Sequence, residues 1–279
     1  MFDKETLTAL QEAQAIHQAN NAVATSCDTK ETVALPSDYK LHDLEQYLPN
    51  RRRMRGVMET ESLASFVAYV SVNEEPGTAV FVDQNAMTAT AVLNLGQPDV
   101  PGHADNIAML KPVKTAAYRA LLAHANGNGY AQKAIAEFME DWADNLACFG
   151  VDGSPIKVAQ AVAAVRKITI DAMRKIESEE QSLGASKSAF ESVQASSKEP
   201  LPTLILFTCQ PYADLDNRQF ALRLGVLTGE STPKVNLRIS KLEEHQEAMA
   251  NELASKIIDE FGEDTPPNKV MLGSYTRRT

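Results

Sequence analysis

The last third of the chain is dominated by an alternation of apolar and polar residues that is typical of β-strands. Residues 203–209 form an apolar run, as in a buried strand, and apolar residues then occupy every second position over 220–226 and 235–239. A helical pattern follows from about Lys241 to Phe261. Strict alternation leaves one face of a sheet packed and the other wet or ligand-bound. We therefore predict an antiparallel β-meander covered by a C-terminal helix.

The middle of the chain, about residues 113–195, has apolar residues at helical spacing. Helices are predicted over 113–125 and 130–148, and a third is predicted to begin at the Ser154-Pro155 pair. The third helix carries apolar residues at alternating steps of four and three. Such spacing predicts a packing seam, against either a neighbouring helix or another subunit. The seam consists of Val158, Val162, Val165, Ala172 and Ile176.

The first half of the chain combines helices with one hairpin. An amphipathic helix is predicted from Lys4 to about Asn21, and Thr60 is predicted to cap a second helix. Residues 79–82 and 88–93 are expected to pair as a β-hairpin. The segment 96–112 contains three prolines and two glycines, so we predict a long loop there.

Together these elements predict an α+β fold in one main domain. Residues 1–30 would form an N-terminal helix and linker, residues 31–273 a single α+β domain, and residues 274–279 a tail. Within the domain, the helical part spans about 113–195, and the β-meander with its helix spans about 200–273.

Composition narrows the class of protein. The chain has 279 residues, of which 44% are hydrophobic and 23% charged, which is ordinary for a globular protein. A net charge of −10 argues against a general nucleic-acid coat, because phosphates repel such a surface, but it allows a local basic contact. The three scattered cysteines fit reduced thiols. Neither a signal peptide nor a membrane-spanning run is recognisable, so we expect a cytoplasmic protein without a membrane partner.

The most concentrated charge is a cluster of arginines at residues 51–55. It comprises Arg51, Arg52, Arg53 and Arg55, between Pro49 and Gly56. Guanidinium groups bind phosphates through bidentate, charge-assisted hydrogen bonds. The cluster therefore predicts an anion-binding contact. The alternative is an exposed basic turn that pairs with this protein's own acidic surface or with another subunit.

Two further arginines are predicted to share one face of the meander. Arg223 and Arg238 occupy polar positions of strands that a hairpin joins, and Lys234 has the same parity as Arg238. If the register holds, this face offers a second anion-binding or nucleic-acid-binding surface. A solvated strand face is the alternative.

One loop carries residues capable of catalysis. His103 and Asp105 lie two residues apart in the sequence 101–106. They would suit a general base or a metal site, but a loop histidine that makes a local turn contact is the interpretation we favour. The glycine-rich run 126–129 lacks the lysine of a phosphate-binding loop and follows a helix, so we interpret it as a helix stop. No cofactor and no metal site is predicted.

The order of several short motifs resembles the YfdQ-like family of uncharacterised phage and prophage proteins. The resemblance covers the chain from about residue 30 to Gly273. It implies a phage or prophage origin, a bacterial host cell as the location, and a role in replication, recombination or counter-defence. It brings no catalytic residues. The motifs are Leu35-Pro36, Leu44-Glu45, Pro49-Asn50-Arg51-Arg52, residues 65–70, the strand ending in Asp83, residues 101–105, Pro202, Gln210-Pro211-Tyr212, Leu222-Arg223, Leu237-Arg238 and Leu242-Glu243.

These observations favour a binding protein over an enzyme. The leading hypothesis is a phage-derived accessory protein that forms a homo-oligomer and binds a nucleic acid, a nucleotide or an acidic host protein. One alternative is a hydrolase or nuclease that uses the loop of His103 and Asp105. Another is a structural protein that assembles into a shell or ring.

Overall fold

The chain divides into two compact units, residues 1–54 and residues 55–279. The computed structural model describes residues 3–29, 44–168, 201–227, 234–262, 266 and 269–276. The division falls between residues 54 and 55, whereas the sequence places one near residue 30. No helix in the described ranges has both the length and the apolar character needed to cross a bilayer.

Six α-helices lie within the described residues. The first is longer than predicted, because it continues eight residues beyond Asn21. The helices are α1 (Lys4–Thr29), α2 (Leu63–Asn73), α3 (Ala116–His124), α4 (Gln132–Asp141), α5 (Val158–Arg166) and α6 (Leu242–Phe261).

The described strands are all short except one, which has ten residues. They are β1 (Gly56–Thr60), β2 (Ala79–Asp83), β3 (Thr88–Val92), β4 (Gly96–Gln97), β5 (Val100–Pro101), β6 (Asn106–Leu110), β7 (Tyr130–Ala131), β8 (Leu146–Phe149), β9 (Pro155–Ile156), β10 (Leu204–Cys209), β11 (Arg218–Leu227), β12 (Lys234–Ile239) and β13 (Val270–Leu272). The predicted mixed α+β class is confirmed.

The first unit contains α1 and a short 3₁₀ turn, Glu45–Tyr47. The backbone N–H of Thr6 donates to Asp3 Oδ1 (2.7 Å), so Asp3 caps the start of α1. The side chains of Leu7, Leu10 and Ile16 are 50–56% exposed. This helix therefore presents apolar side chains to solvent.

The second unit contains a mixed five-stranded sheet in the order β1-β6-β3-β2-β13. The outer pairs β1–β6 and β2–β13 are parallel, and the inner pairs are antiparallel. Helix α2 packs on β1 and β6, and α6 packs on α2, β2 and β13. The cap of α2 is Ser62, whose hydroxyl accepts from the Ser65 N–H, whereas the predicted cap Thr60 belongs to β1.

The same unit contains an antiparallel six-stranded sheet in the order β7-β12-β11-β10-β8-β9. The predicted meander forms its centre, because β11 pairs with both β10 and β12. Helix α3 packs on β10, helix α4 packs on β12, and α5 packs on α4 and β8. Helix α6 reaches this sheet through a ring contact between Phe220 and His245 (4.8 Å). It therefore covers part of both sheets rather than the meander alone.

Three predicted elements are wrong in extent or type. The loop predicted over 96–112 contains the ribbon β4–β5 and the central strand β6. The helix predicted over 130–148 ends at Asp141 and gives way to β8. The Ser154-Pro155 pair does not start a helix, because Pro155 belongs to β9 and α5 begins at Val158. The middle of the chain is therefore not purely helical, and residues 169–195 lie outside the described ranges.

Candidate anion-binding cleft

The four arginines at residues 51–55 are divided between the two units. Arg51, Arg52 and Arg53 belong to the first, and Arg55 belongs to the second. The backbone N–H of Arg52 donates to Glu45 Oε1 (3.2 Å), which ties this turn to the preceding 3₁₀ turn. Arg51 and Arg52 are exposed and Arg53 is half-buried.

Arg223 and Arg238 are brought together as the sequence predicts. They are directly opposite in the antiparallel pair β11–β12, and both are exposed. Within the described part of the chain, neither guanidinium has a hydrogen bond or an ion pair. Two like charges directly opposite each other destabilise a strand pair, so an anion between them would be favourable.

The loop of His103 and Asp105 is held by a buried asparagine. Asn94 Oδ1 accepts from the backbone N–H groups of Asp105 and Asn106, both at 3.0 Å. Asn94 Nδ2 donates to Asp105 Oδ1 at 2.9 Å. His103 is exposed, and Ala104 between the two residues has a positive φ of 51°. The Asp105 carboxylate thus fixes the loop as a local turn contact.

The predicted seam is covered within the chain where it is described. Val162 and Val165 are buried, and Val158 packs against the same core. This part of the row therefore contacts the neighbouring helix α4 and strand β8. Ala172 and Ile176 lie outside the described residues.

A cleft of about 480 Å³ opens where the β2–β3 turn, α3 and α6 come together. Asp83 Oδ1 holds the turn by accepting from the N–H groups of Asn85 and Ala86. The segment before α3 is fixed to the loop after β10, because the Thr115 N–H donates to Pro211 O (3.0 Å). Thr115 also caps α3 through its hydroxyl. These anchors set the shape of the cleft from elements that are far apart in sequence.

Three cations line this cleft, and none of its described lining residues carries a carboxylate. Lys111 pairs with Glu59, outside the lining, at 2.8 Å. Lys114 and Arg119 are exposed, and among the described residues they have no ion pair. The cleft therefore has at least two positive charges with no protein counterion in its wall. It is a positive site in a protein whose net charge is −10.

The remainder of the wall is part amide and part apolar. The side-chain amides of Gln84, Asn85 and Gln246 make no hydrogen bond within the described ranges. The apolar part of the lining consists of Ala86, Met87, Pro112, Tyr118, Leu122, Tyr212 and Met249. Such a wall combines charge, hydrogen-bonding groups and apolar contact, as small-molecule sites do.

Two buried tyrosines form the base of the cleft. Tyr118 stacks on Phe220 (5.4 Å) and lies 5.9 Å from the ring of Tyr212. Burial raises the pKa of Tyr118 well above its ordinary value, and the nearby Tyr212 and Cys209 raise it further. Burial also raises the pKa of Tyr212. Both hydroxyls therefore stay protonated at neutral pH.

The other reactive groups of this unit are poor nucleophiles or scattered. Cys148 and Cys209 are buried free thiols, and burial raises the pKa of each to about 11. At neutral pH almost no thiolate forms. The described residues contain no group of three His, Cys, Asp or Glu side chains that could hold a metal ion.

Sequence reasoning missed the cleft, although one signal was present. No Asp or Glu occurs between Asp105 and Glu137, in a chain with 37 acidic residues. That stretch supplies Lys111, Lys114 and Arg119. Local spacing alone could not show that the β2–β3 turn and α6 close the site around them.

Comparison with known proteins places the chain in a family. A family model described as an uncharacterized conserved protein (DUF2303) matches residues 4–274. No curated protein and no solved structure matches the chain. Because the match spans both units and nearly the whole sequence, the chain belongs to the DUF2303 family of uncharacterized conserved proteins.

Proposed function

We propose that the protein is a phage-derived accessory protein that binds a phosphorylated small molecule of the nucleotide class rather than catalysing a reaction. The observation that carries this proposal is the cleft with Lys114 and Arg119. Both cations lack an ion pair among the described residues, and no carboxylate lines the wall. An anion that enters the cleft gains charge-assisted hydrogen bonds without displacing a protein counterion.

The dimensions of the cleft favour a small molecule over a polymer. A volume of about 480 Å³ falls within the range of about 300–1,000 Å³ that is usual for small-molecule sites. The apolar part of the wall, with Leu122 and Met249, suits a flat and weakly polar group. The free amides suit its polar edge. A nucleotide combines these features with a phosphate.

The phage origin is supported by the resemblance to the YfdQ-like family. The motifs on which this resemblance rests include Gln210-Pro211-Tyr212, and Tyr212 lines the cleft. Sequestering a nucleotide inside the bacterial host cell would suit a counter-defence protein, and it would also suit a regulator of phage replication or recombination. The experiment below does not depend on which of these roles applies.

The test measures ligand binding by calorimetry at low ionic strength. The probes are nucleoside mono-, di- and triphosphates, cyclic nucleotides and inorganic phosphate. We expect at least one nucleotide to bind the parent protein with a Kd below about 1 mM. The variant Lys114→Gln/Arg119→Gln should bind it at least about 100-fold more weakly, because each of the two lost hydrogen bonds to a charged group contributes about 1.5–3 kcal/mol.

A control variant separates local from general charge effects. Lys133→Gln/Arg166→Gln removes two positive charges at exposed positions outside the cleft, and it should bind as the parent does. Chromatography of the probe after incubation checks for turnover. Conversion of a bound nucleotide would replace the binding function by an enzymatic one. Absence of binding to every probe would refute the proposal.

The proposal includes assembly into a homo-oligomer. Support comes from α1, which exposes Leu7, Leu10 and Ile16, since apolar side chains of this size are stabilised when a second copy covers them. Light scattering after size-exclusion chromatography tests this. A protein that stays monomeric at every concentration up to about 100 µM has a free energy of association weaker than about −5.5 kcal/mol. That result would exclude the oligomer.

A further inference from the structure

We propose that the outer face of the six-stranded sheet binds single-stranded nucleic acid, independently of the cleft. A row of five residues crosses this face from one strand to the next, in the order Phe149, Leu204, Arg223, Arg238 and Asn126. Arg223 and Arg238 form its centre and Asn126 bridges to Arg238 at one end. At the other end Phe149 pairs with Leu204, and the antiparallel register of β10 and β11 places Leu204 beside Arg223.

The row combines the two groups that single strands require. Proteins that bind single strands present cations to the phosphates and an aromatic side chain on which a base stacks. Neighbouring strands are about 4.8 Å apart, so Phe149 on β8 lies about 10 Å from Arg223 on β11. One nucleotide spans that separation, with its phosphate on the arginines and its base on Phe149. Phe149 is half-buried and Leu204 is 38% exposed, so both offer surface.

The charge of this face is opposite to that of the whole protein. The outward positions on the described parts of β8, β10, β11 and β12 include no Asp or Glu. They are Ala147, Phe149, Leu204, Leu206, Thr208, Gln219, Ala221, Arg223, Gly225, Lys234, Asn236 and Arg238. Because acidic side chains are excluded from it, the face attracts a polyanion that the rest of the surface repels.

The surface of the face is shallow beside the two arginines. Ala221 and Gly225 flank Arg223 on its own strand. A Cβ at Gly225 would overlap Asn236 Oδ1, so a larger residue there would displace the Asn236 side chain. The Asn236 amide is fixed because its Nδ2 donates to Gly127 O (3.1 Å). The two guanidinium groups therefore stand above a shallow surface that a flexible strand can follow.

Phosphopeptides could also meet two arginines, but they would not use the aromatic end of the row. A single strand uses both ends, and the shallow surface suits several bases in succession. Discrimination between the two polyanions is therefore part of the test.

The experiment measures anisotropy of a labelled single-stranded oligonucleotide with the full chain at low salt. We expect binding whose logarithm falls with the logarithm of salt concentration with a slope of about −0.7 to −1.4, as for one or two phosphates. Arg223→Gln and Arg238→Gln should each weaken binding about tenfold, since one charge-assisted hydrogen bond is lost. Phe149→Leu should weaken it about tenfold without changing the salt slope, because only stacking is lost.

Two controls make the outcome decisive. Lys133→Gln/Arg166→Gln has the same charge change as Arg223→Gln/Arg238→Gln and affects exposed residues of α4 and α5, so it should bind as the parent does. Lys114→Gln/Arg119→Gln should also leave oligonucleotide binding unchanged. The proposal is overturned if the parent does not bind at low salt, if the charge control weakens binding equally, or if a phosphopeptide competes better than the unlabelled strand. If Lys114→Gln/Arg119→Gln is the only variant that loses oligonucleotide binding, the proposal for the sheet face is overturned. The cleft would then remain an anion-binding site.

Discussion

Asn94 shows how one buried amide decides the role of the loop at 102–106. Its side chain is only 6% exposed, and it satisfies the backbone N–H groups of Asp105 and Asn106 while donating to the Asp105 carboxylate. The Gly56 N–H donates to Asp105 O (2.8 Å), which attaches the loop to β1. In this arrangement the carboxylate of Asp105 has a structural role, whereas the exposed His103 makes no hydrogen bond or ion pair to any residue that the structure describes.

Replacement of Asn94 by Ala should therefore be strongly destabilising. Two backbone donors lose their acceptor, and each unsatisfied buried group costs about 1–3 kcal/mol, so we expect a loss of about 2–6 kcal/mol in the free energy of unfolding. Urea unfolding followed by the fluorescence of Trp142, the single tryptophan, measures it. His103→Ala is the control and should change the free energy by less than about 0.5 kcal/mol. Equal effects of the two substitutions would contradict this account of the loop.

At the residue scale, the sequence predicted where a side chain lies when that depends on the alternation along one strand. It missed residues that come together only because elements distant in sequence pack against each other. Residue parity alone predicted that Arg223 and Arg238 share a face, because side chains alternate along strands, and the register confirms it. Lys114 and Arg119 gave no comparable signal. Their common site exists only because α6 and the β2–β3 turn face them.

At the element scale, strong periodicity was informative and short elements were not. The alternation at 220–226 and 235–239 predicted β11 and β12, and a helix predicted just after Thr60 corresponds to α2, which begins at Leu63. Strand β6 was missed because it has only five residues and because prolines and glycines flank it in the sequence. Strand β8 was missed because its four residues continue the apolar pattern of α4, which cannot distinguish a short strand from the end of a helix.

The docking of α6 depends on one partly buried carboxylate. Glu252 Oε2 accepts from Arg218 Nη2 at 2.9 Å, and Glu252 Oε1 accepts from the Asp216 N–H at 2.5 Å. The side chains of Arg218 and Glu252 are 21% and 17% exposed. Lys256 on the same helix pairs with Asp216 at 2.9 Å. The helix is thus fixed to the start of β11 by charges that solvent screens only in part.

Removal of this carboxylate should loosen α6. We expect Glu252→Ala to lower the free energy of unfolding by about 1–3 kcal/mol, because Arg218 remains partly buried without its partner and the Asp216 N–H loses its acceptor. Glu252→Gln should cost less, since its amide oxygen still accepts from that N–H. Glu137→Ala breaks an exposed pair with Lys133 and should cost less than about 1 kcal/mol. Urea unfolding compares the three, and a Glu252→Ala effect no larger than that of Glu137→Ala would exclude the docking role.

At the scale of the whole molecule, the distribution of charge carries more information than its total. The net charge of −10 argues against a general nucleic-acid coat, yet two local regions have no carboxylate among their described residues. These are the wall of the cleft and the outer face of the second sheet. Both belong to the second unit, whereas Arg51, Arg52 and Arg53 belong to the first. An acidic protein with local basic sites repels polyanions in general and admits them where the geometry fits.

The second unit should fold and bind without the first. Among the described residues, those of the buried hydrophobic cluster lie between Leu63 and Val270, and those that line the cleft lie between Gln84 and Met249. We therefore expect a chain of residues 55–279 to unfold cooperatively with a Tm within about 4 °C of that of the full chain, a difference of about 1 kcal/mol. Its nucleotide affinity, measured by calorimetry, should equal that of the full chain.

The same truncation identifies which part of the chain holds copies together. If the exposed apolar residues of α1 form the contact between copies, residues 55–279 should be monomeric under conditions in which light scattering shows the full chain to be oligomeric. The matched variant is the full chain with Leu7→Ser, Leu10→Ser and Ile16→Ser, because removing apolar area from an interface weakens association while the net charge is unchanged. It should also be monomeric and retain nucleotide binding. An oligomer that survives both changes would place the contact in the second unit.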